Sequence, residues 1–162
     1  KVIAINRALN SFADKEGFDL KRKKTKDSES DEIIPYANKR RDYAKNMITG
    51  AIFKTTVDNT HPMGYGYSNN YFSLKLSNTS FELLKKGNNI AYIKENTTPV
   101  SGFAGNNTKE NLQNSLVFGE ERMGRGSFIY LVDDVLFRNF WENGKMFLVN
   151  AVFLVNNRPY KD

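Results

Sequence analysis

The sequence predicts an α/β domain with a mixed sheet and helices on its faces, and three stretches carry that prediction. Val2 to Ile5 (VIAI) is a short unbroken apolar run, the pattern of a strand buried on both faces. Gly124 to Asn150 reads as a turn, a buried strand, an acidic pair at the strand end, an aromatic loop and an apolar helix. Met146 to Val155 (MFLVNAVFLV) is apolar nearly all round, as expected of a helix buried against a sheet.

The remaining elements follow in chain order. After VIAI, Leu9, Phe12 and Ala13 recur at helical spacing, which predicts a helix over Ala8 to Glu16 stopped by Gly17. Residues 20–46 are polar and charged and read as a basic insertion, with a helical piece near Tyr36 to Tyr43. Ala51 to Val57 alternates as a strand does. Asp58 to Tyr67 (DNTHPMGYGY) is a loop, because Pro62 fixes the chain direction and Gly64 and Gly66 permit positive φ. Tyr71 to Leu76 is a strand with Phe72, Leu74 and Leu76 on one face. Ser80 to Lys85 reads as a short helical turn, Ile90 to Ile93 as a strand, and Val100 to Phe103 as a short strand leading into a Gly/Asn loop. Ser115 to Phe118 and Ser127 to Val132 are strands around a GEERMGRG turn, and Leu136 to Trp141 is expected to pack under the sheet edge. The whole chain, 1–162, is one α/β domain on this reading.

Composition narrows the chemistry. At 40% hydrophobic and 13% aromatic, 162 residues suffice for one packed core. No run approaches the roughly 18 apolar residues of a membrane span. The absence of Cys removes disulfides, thiol nucleophiles and cysteine metal sites. The net charge of +6 is concentrated in KRKKTK (Lys21 to Lys26) and KRR (Lys39 to Arg41). The acidic DSESDE that follows the first cluster offsets it, so a solvated loop is preferred to a nucleic-acid surface. A strand starting directly after Lys1 suggests a fragment of a larger chain.

His61 is the only histidine. A zinc hydrolase takes about three protein ligands, so His61 reads as a hydrogen-bonded loop residue. A Ser-His-Asp set through His61 and Asp133 lacks a G-x-S-x-G elbow. Asp133 and Asp134 stand at the carboxyl end of a strand, where α/β sheets place functional groups. They fit a general acid/base pair, or one caps the next segment while the other pairs with Arg138 or Arg125. Gly124-Arg125-Gly126 precedes its strand and so reads as a hairpin turn. Tyr65, Tyr67 and Tyr71 suit either a sugar- or peptide-binding surface or rim packing. With Asp133, Asp134, Arg138 and Trp141, the His61 to Tyr71 loop makes a candidate ligand groove.

Taken together, Asn59 to Tyr67 (NTHPMGYGY), Val100 to Phe103 (VSGF), Ser115 to Gly119 (SLVFG), Gly124-Arg125-Gly126, Leu131 to Asp134 (LVDD), Phe137 to Trp141 (FRNFW) and Asn150 to Phe153 (NAVF) resemble one family. They are similar to the C-terminal region of Bacteroidetes-type zinc carboxypeptidase-like proteins, of the carboxypeptidase A-type metallopeptidases. There a peptidase domain precedes a domain similar to class I glutamine amidotransferases. The resemblance implies a flavodoxin-like α/β sandwich entered partway through, hence a partial domain with a mixed sheet. It implies that Ile5-Asn6-Arg7-Ala8 stands where an amidotransferase carries its Cys elbow. It further implies a non-catalytic accessory domain of a zinc metallocarboxypeptidase, secreted or periplasmic, with no cofactor of its own. The zinc would lie in the parent's upstream peptidase domain. Partners would be that domain or, through an exposed sheet edge, a second copy of the chain, with no nucleic acid and no membrane span. The alternative is a stand-alone peptide- or glycan-binding module.

Overall fold

A computed structural model describes residues 1–24, 33 and 35–155. The strands are β1 (Val2–Ile5), β2 (Ile48–Val57), β3 (Asn70–Lys75), β4 (Asn88–Ile93), β5 (Pro99–Ala104), β6 (Ser115–Met123) and β7 (Gly126–Leu131). The helices are α1 (Tyr36–Lys45), α2 (Asn106–Leu112) and α3 (Glu142–Phe153), with short 3-10 turns at Asn6–Ser11, Pro62–Gly64 and Phe137–Asn139. Among the described residues all seven strands form one mixed sheet, ordered β1-β7-β6-β4-β2-β3, with β5 also on β2. β1 and β7 run parallel and the other pairs are antiparallel.

β2 is the spine of the far half. Ala51 pairs with both Lys75 of β3 and Gly102 of β5, and Thr56 with both Asn70 of β3 and Tyr92 of β4. One edge of β2 therefore carries β3, while the other is shared end to end by β5 and β4. Gly102 makes this possible: it sits at φ +81, and a Cβ there would stand 2.1 Å from the Gly50 carbonyl oxygen. A register shift opposite Ala91 and Tyr92 leaves Val117 as an extra residue in β6, so that Val117 and Phe118 both enter the core.

The sheet is covered on two faces. Val117, Phe118, Ile129 and Leu131 join Phe53, Tyr71 and Phe147 of α3 in the larger core. Ala4, Leu116 and Tyr130 face the other way, against Leu9, Leu20, Phe81 and Leu84. α3 buries Gly144, Phe147, Asn150 and Ala151, a stripe at helical spacing. Phe147 stacks on Tyr67 with ring centroids 4.0 Å apart and lies 4.5 Å from the Phe118 ring. Asn150 is the polar residue in the apolar run for a local reason: its amide donates to the carbonyls of Met63 and Tyr65, at 3.0 and 2.7 Å.

Several expectations change on contact with the structure. α3 is not buried all round, because Met146, Val149 and Val152 remain 42–48% exposed on its outer side. Ala8 to Glu16 forms a 3-10 turn over Asn6–Ser11 and then irregular turns, since the chain leaves β1 through Asn6 at φ 51. Ser80 to Lys85 makes no helix; Phe81 forms a bridge with Arg22 instead. The Gly/Asn loop after β5 contains α2. Leu136 to Trp141 is a largely exposed turn rather than packing under the sheet. The insertion at 20–46 begins later than its composition suggests, because Leu20 is fully buried. The last two residues of KRKKTK and all of DSESDE lie outside the described residues. β3 alternates as expected, yet the face turned inward is Tyr71, Ser73 and Lys75, leaving Phe72 and Leu76 exposed.

Candidate functional site

A cavity of about 350 Å³ opens at the carboxyl ends of the parallel strands β1 and β7, lined in part by Asn6, Arg7, Lys75, Asp133 and Asp134. This is the position at which α/β sheets gather ligands, because the two chains leave the sheet there in different directions. Asp133 is 7% exposed and its two oxygens are both engaged. Oδ1 accepts from Lys75 Nζ at 2.7 Å, and Oδ2 accepts from the Ser73 hydroxyl. Ser73 and Lys75 meet the same carboxylate because residues two apart on a strand share a face. A carboxylate and an ammonium this deeply buried must be paired to remain charged.

The two aspartates divide as one sequence reading proposed, with a different partner. Asp134 Oδ1 accepts from the Leu136 backbone N–H at 3.0 Å and caps the turn. Asp133 takes Lys75 as its ion-pair partner, while Arg138 lies over the Phe137 ring, 5.2 Å from its centroid. Across the cavity, Asn6 holds a left-handed conformation that Asn tolerates better than most side chains. Arg7 is exposed and makes no hydrogen bond or ion pair with the described residues.

His61 belongs to a separate cluster. Its Nδ1 accepts from the Met63 N–H at 3.2 Å, and its Nε2 faces Glu120 Oε2 at 2.9 Å. With Nδ1 accepting, the neutral ring carries its proton on Nε2 and donates it to Glu120. Glu120 also accepts from Ser127 Oγ at 2.6 Å and Asn88 Nδ2 at 3.2 Å. These donors, His61 first, hold the Glu120 carboxyl down to about 2. His61 thus caps the turn Pro62–Gly64 and ties it to β6, which is the structural role its loop setting suggested. It does not meet Asp133, whose oxygens are taken by β3.

Of the aromatic candidates, Tyr67, Tyr71 and Trp141 are joined, Tyr67 meeting the Tyr71 ring edge-on, and Tyr65 stands apart. Tyr65 is exposed. Tyr67 donates its hydroxyl to the Asn143 carbonyl at 2.8 Å and accepts from the Phe147 N–H at 3.1 Å, and burial pushes it up to about 12. Trp141 donates its indole N–H to Tyr71 OH at 3.3 Å. The His61 to Tyr71 loop does border a groove, of about 460 Å³, but its other wall is Glu142, Asn143 and Met146 of α3. Asp133, Asp134 and Arg138 are not part of it. Lys75, Ser73 and Glu120 were not singled out by sequence reasoning, and Asn6 and Arg7 entered it only as the turn that the resemblance sets at the Cys elbow.

Chemically, the strand-end cavity offers cations, carboxylates and amides suited to holding a ligand. Ser73 is fully buried and spends its proton on Asp133. Among the described residues no three His, Cys, Asp or Glu side chains are placed to hold a metal ion. No described helix is long and apolar enough to cross a membrane. Comparison of the chain with protein-family models, curated proteins and solved structures gave no match.

Proposed function

We propose that the chain is a non-catalytic accessory domain, similar to class I glutamine amidotransferase domains, of a secreted or periplasmic zinc carboxypeptidase-like protein. The observation that carries this reading is the exit from β1. The terminal strand of the sheet, which buries only Ala4 rather than both faces as its apolar run suggested, runs parallel to its neighbour and ends in a left-handed residue beside a cavity at the strand ends, and that residue is Asn6. The resemblance places a Cys nucleophile at this turn in true amidotransferases; an amide cannot attack a substrate carbonyl as a thiolate does. The flavodoxin-like classification belongs to this proposal too.

Exposed apolar surface favours a docked domain over a free one. The outer side of α3 presents Met146, Val149 and Val152, and the outer side of β3 and β5 presents Phe72, Leu76, Val100 and Phe103, each 41% exposed or more. Clusters of this kind mark interaction surfaces. The occupant in this reading is the upstream peptidase domain, which would supply the zinc-activated water for hydrolysis of C-terminal peptide bonds. The test is to assay this chain for glutaminase activity and for binding to the separately expressed upstream region. Turnover of glutamine, or an upstream frame encoding no peptidase, contradicts the proposal.

A further inference from the structure

We propose that the cavity at the ends of β1 and β7 binds a small α-amino carboxylate, with Arg7 and Lys75 taking the carboxylate and Asp134 the ammonium. Lys75 is incompletely paired. Lys75 is only 2% exposed, lines the cavity and carries three N–H donors, of which one goes to Asp133 Oδ1. A buried ammonium retaining unused donors calls for a second acceptor. The other Asp133 oxygen accepts from Ser73, and Lys75 Nζ reaches no second acceptor among the described residues.

Arg7 stands at the same cavity as a second cation whose side chain has no partner among the described residues, and its planar fork suits a carboxylate. Asp134 uses Oδ1 for the Leu136 N–H and has no donor on Oδ2 among the described residues. The lining therefore pairs donor capacity at Arg7 and Lys75 with acceptor capacity at Asp134. A ligand carrying both charges satisfies both ends, whereas a simple anion leaves Asp134 unpaired. Ser77 and Thr79 at the rim leave room for a polar side chain.

Binding concerns this chain alone. Only the source of the ligand, the residue released from a peptide C-terminus, rests on the accessory-domain reading. The experiment is isothermal titration of the 162-residue chain with free L-amino acids at millimolar concentration. Two comparison ligands are used: the same acid lacking its amino group, and the same amine lacking its carboxylate. Saturable binding is expected for the amino acid, weaker by roughly tenfold or more for either analogue and for Arg7→Gln. Arg7 is exposed, so its replacement leaves the fold intact; Asp134→Asn is expected to remove only the preference for the amino group. No binding of any amino acid, equal binding of the deaminated acid, or unchanged affinity in Arg7→Gln overturns the proposal. None of these results bears on the upstream peptidase, whereas glutamine turnover would contradict the accessory reading and leave binding intact.

Discussion

Lys75 Nζ lies 2.7 Å from Asp133 Oδ1, joining two strands from opposite ends of the sheet order. β3 is the last strand on one side, and Asp133 follows β7, the neighbour of the first strand on the other. The sheet curls far enough to bring them together through side chains, without a backbone ladder. Removing one partner leaves a buried, uncompensated charge. Lys75→Met is expected to destabilise the chain by about 3–5 kcal/mol in urea unfolding, and Lys75→Met with Asp133→Leu by less than the single change. A loss under about 1 kcal/mol in the single variant would mean that the bond does not close the curl.

The Glu120 cluster predicts an acid limb. The folded carboxyl is held at about 2, below its ordinary value of 4.5, so its contribution is fully present above the ordinary value and is lost as pH falls through about 2. Chemical unfolding between neutral and acid pH should show this loss in the parent chain and a flatter profile in Glu120→Gln. Matching slopes in the two proteins would place the acid sensitivity elsewhere.

Phe147 contacts Tyr67, Tyr71 and Phe118 and is fully buried. Phe147→Ala should cost about 3–5 kcal/mol. Val149→Glu, on the outer side of the same helix, should change stability by about 0.5 kcal/mol or less. If the chain is the proposed accessory domain, this change should nevertheless weaken its association with an upstream domain. Thermal unfolding and a pull-down of the two variants separate the core face of α3 from its docking face.

Asn6 gives a backbone test. At φ 51, Asn6→Gly should be neutral or stabilising, and Asn6→Val should cost about 1–2 kcal/mol. Equal stability of all three would show that the left-handed turn is not maintained in solution.

Much of the sheet was legible because its signals are local. VIAI, the Gly124-Arg125 hairpin and the apolar strands around it are runs and turns that a short window contains. The fate of β3 was not legible in this way. Its alternation gives two faces, Phe72-Leu74-Leu76 and Tyr71-Ser73-Lys75, and hydrophobicity favours burying the first. The second is inside because Asp133, 58 residues away, supplies the partner that lets Lys75 be buried. Glu120 was missed for the same reason: its donors come from His61, Asn88 and Ser127, on three other segments. The strand-end position of Asp133 and Asp134 was readable, and so was the division into one cap and one ion pair. The identity of that partner depended on the curl. Asn150 shows the limit on helices, since its polar side chain in an apolar run is explained only by the carbonyls of Met63 and Tyr65.

The most direct measurement is a comparison of the full-length gene product with the 162-residue chain for bound zinc and for release of C-terminal residues from peptides. If the chain is the proposed accessory domain, zinc and chelator-sensitive hydrolysis are expected in the full-length protein and neither in this chain. Zinc-dependent hydrolysis by the 162-residue chain, or a full-length protein without zinc and without peptidase activity, would contradict that reading.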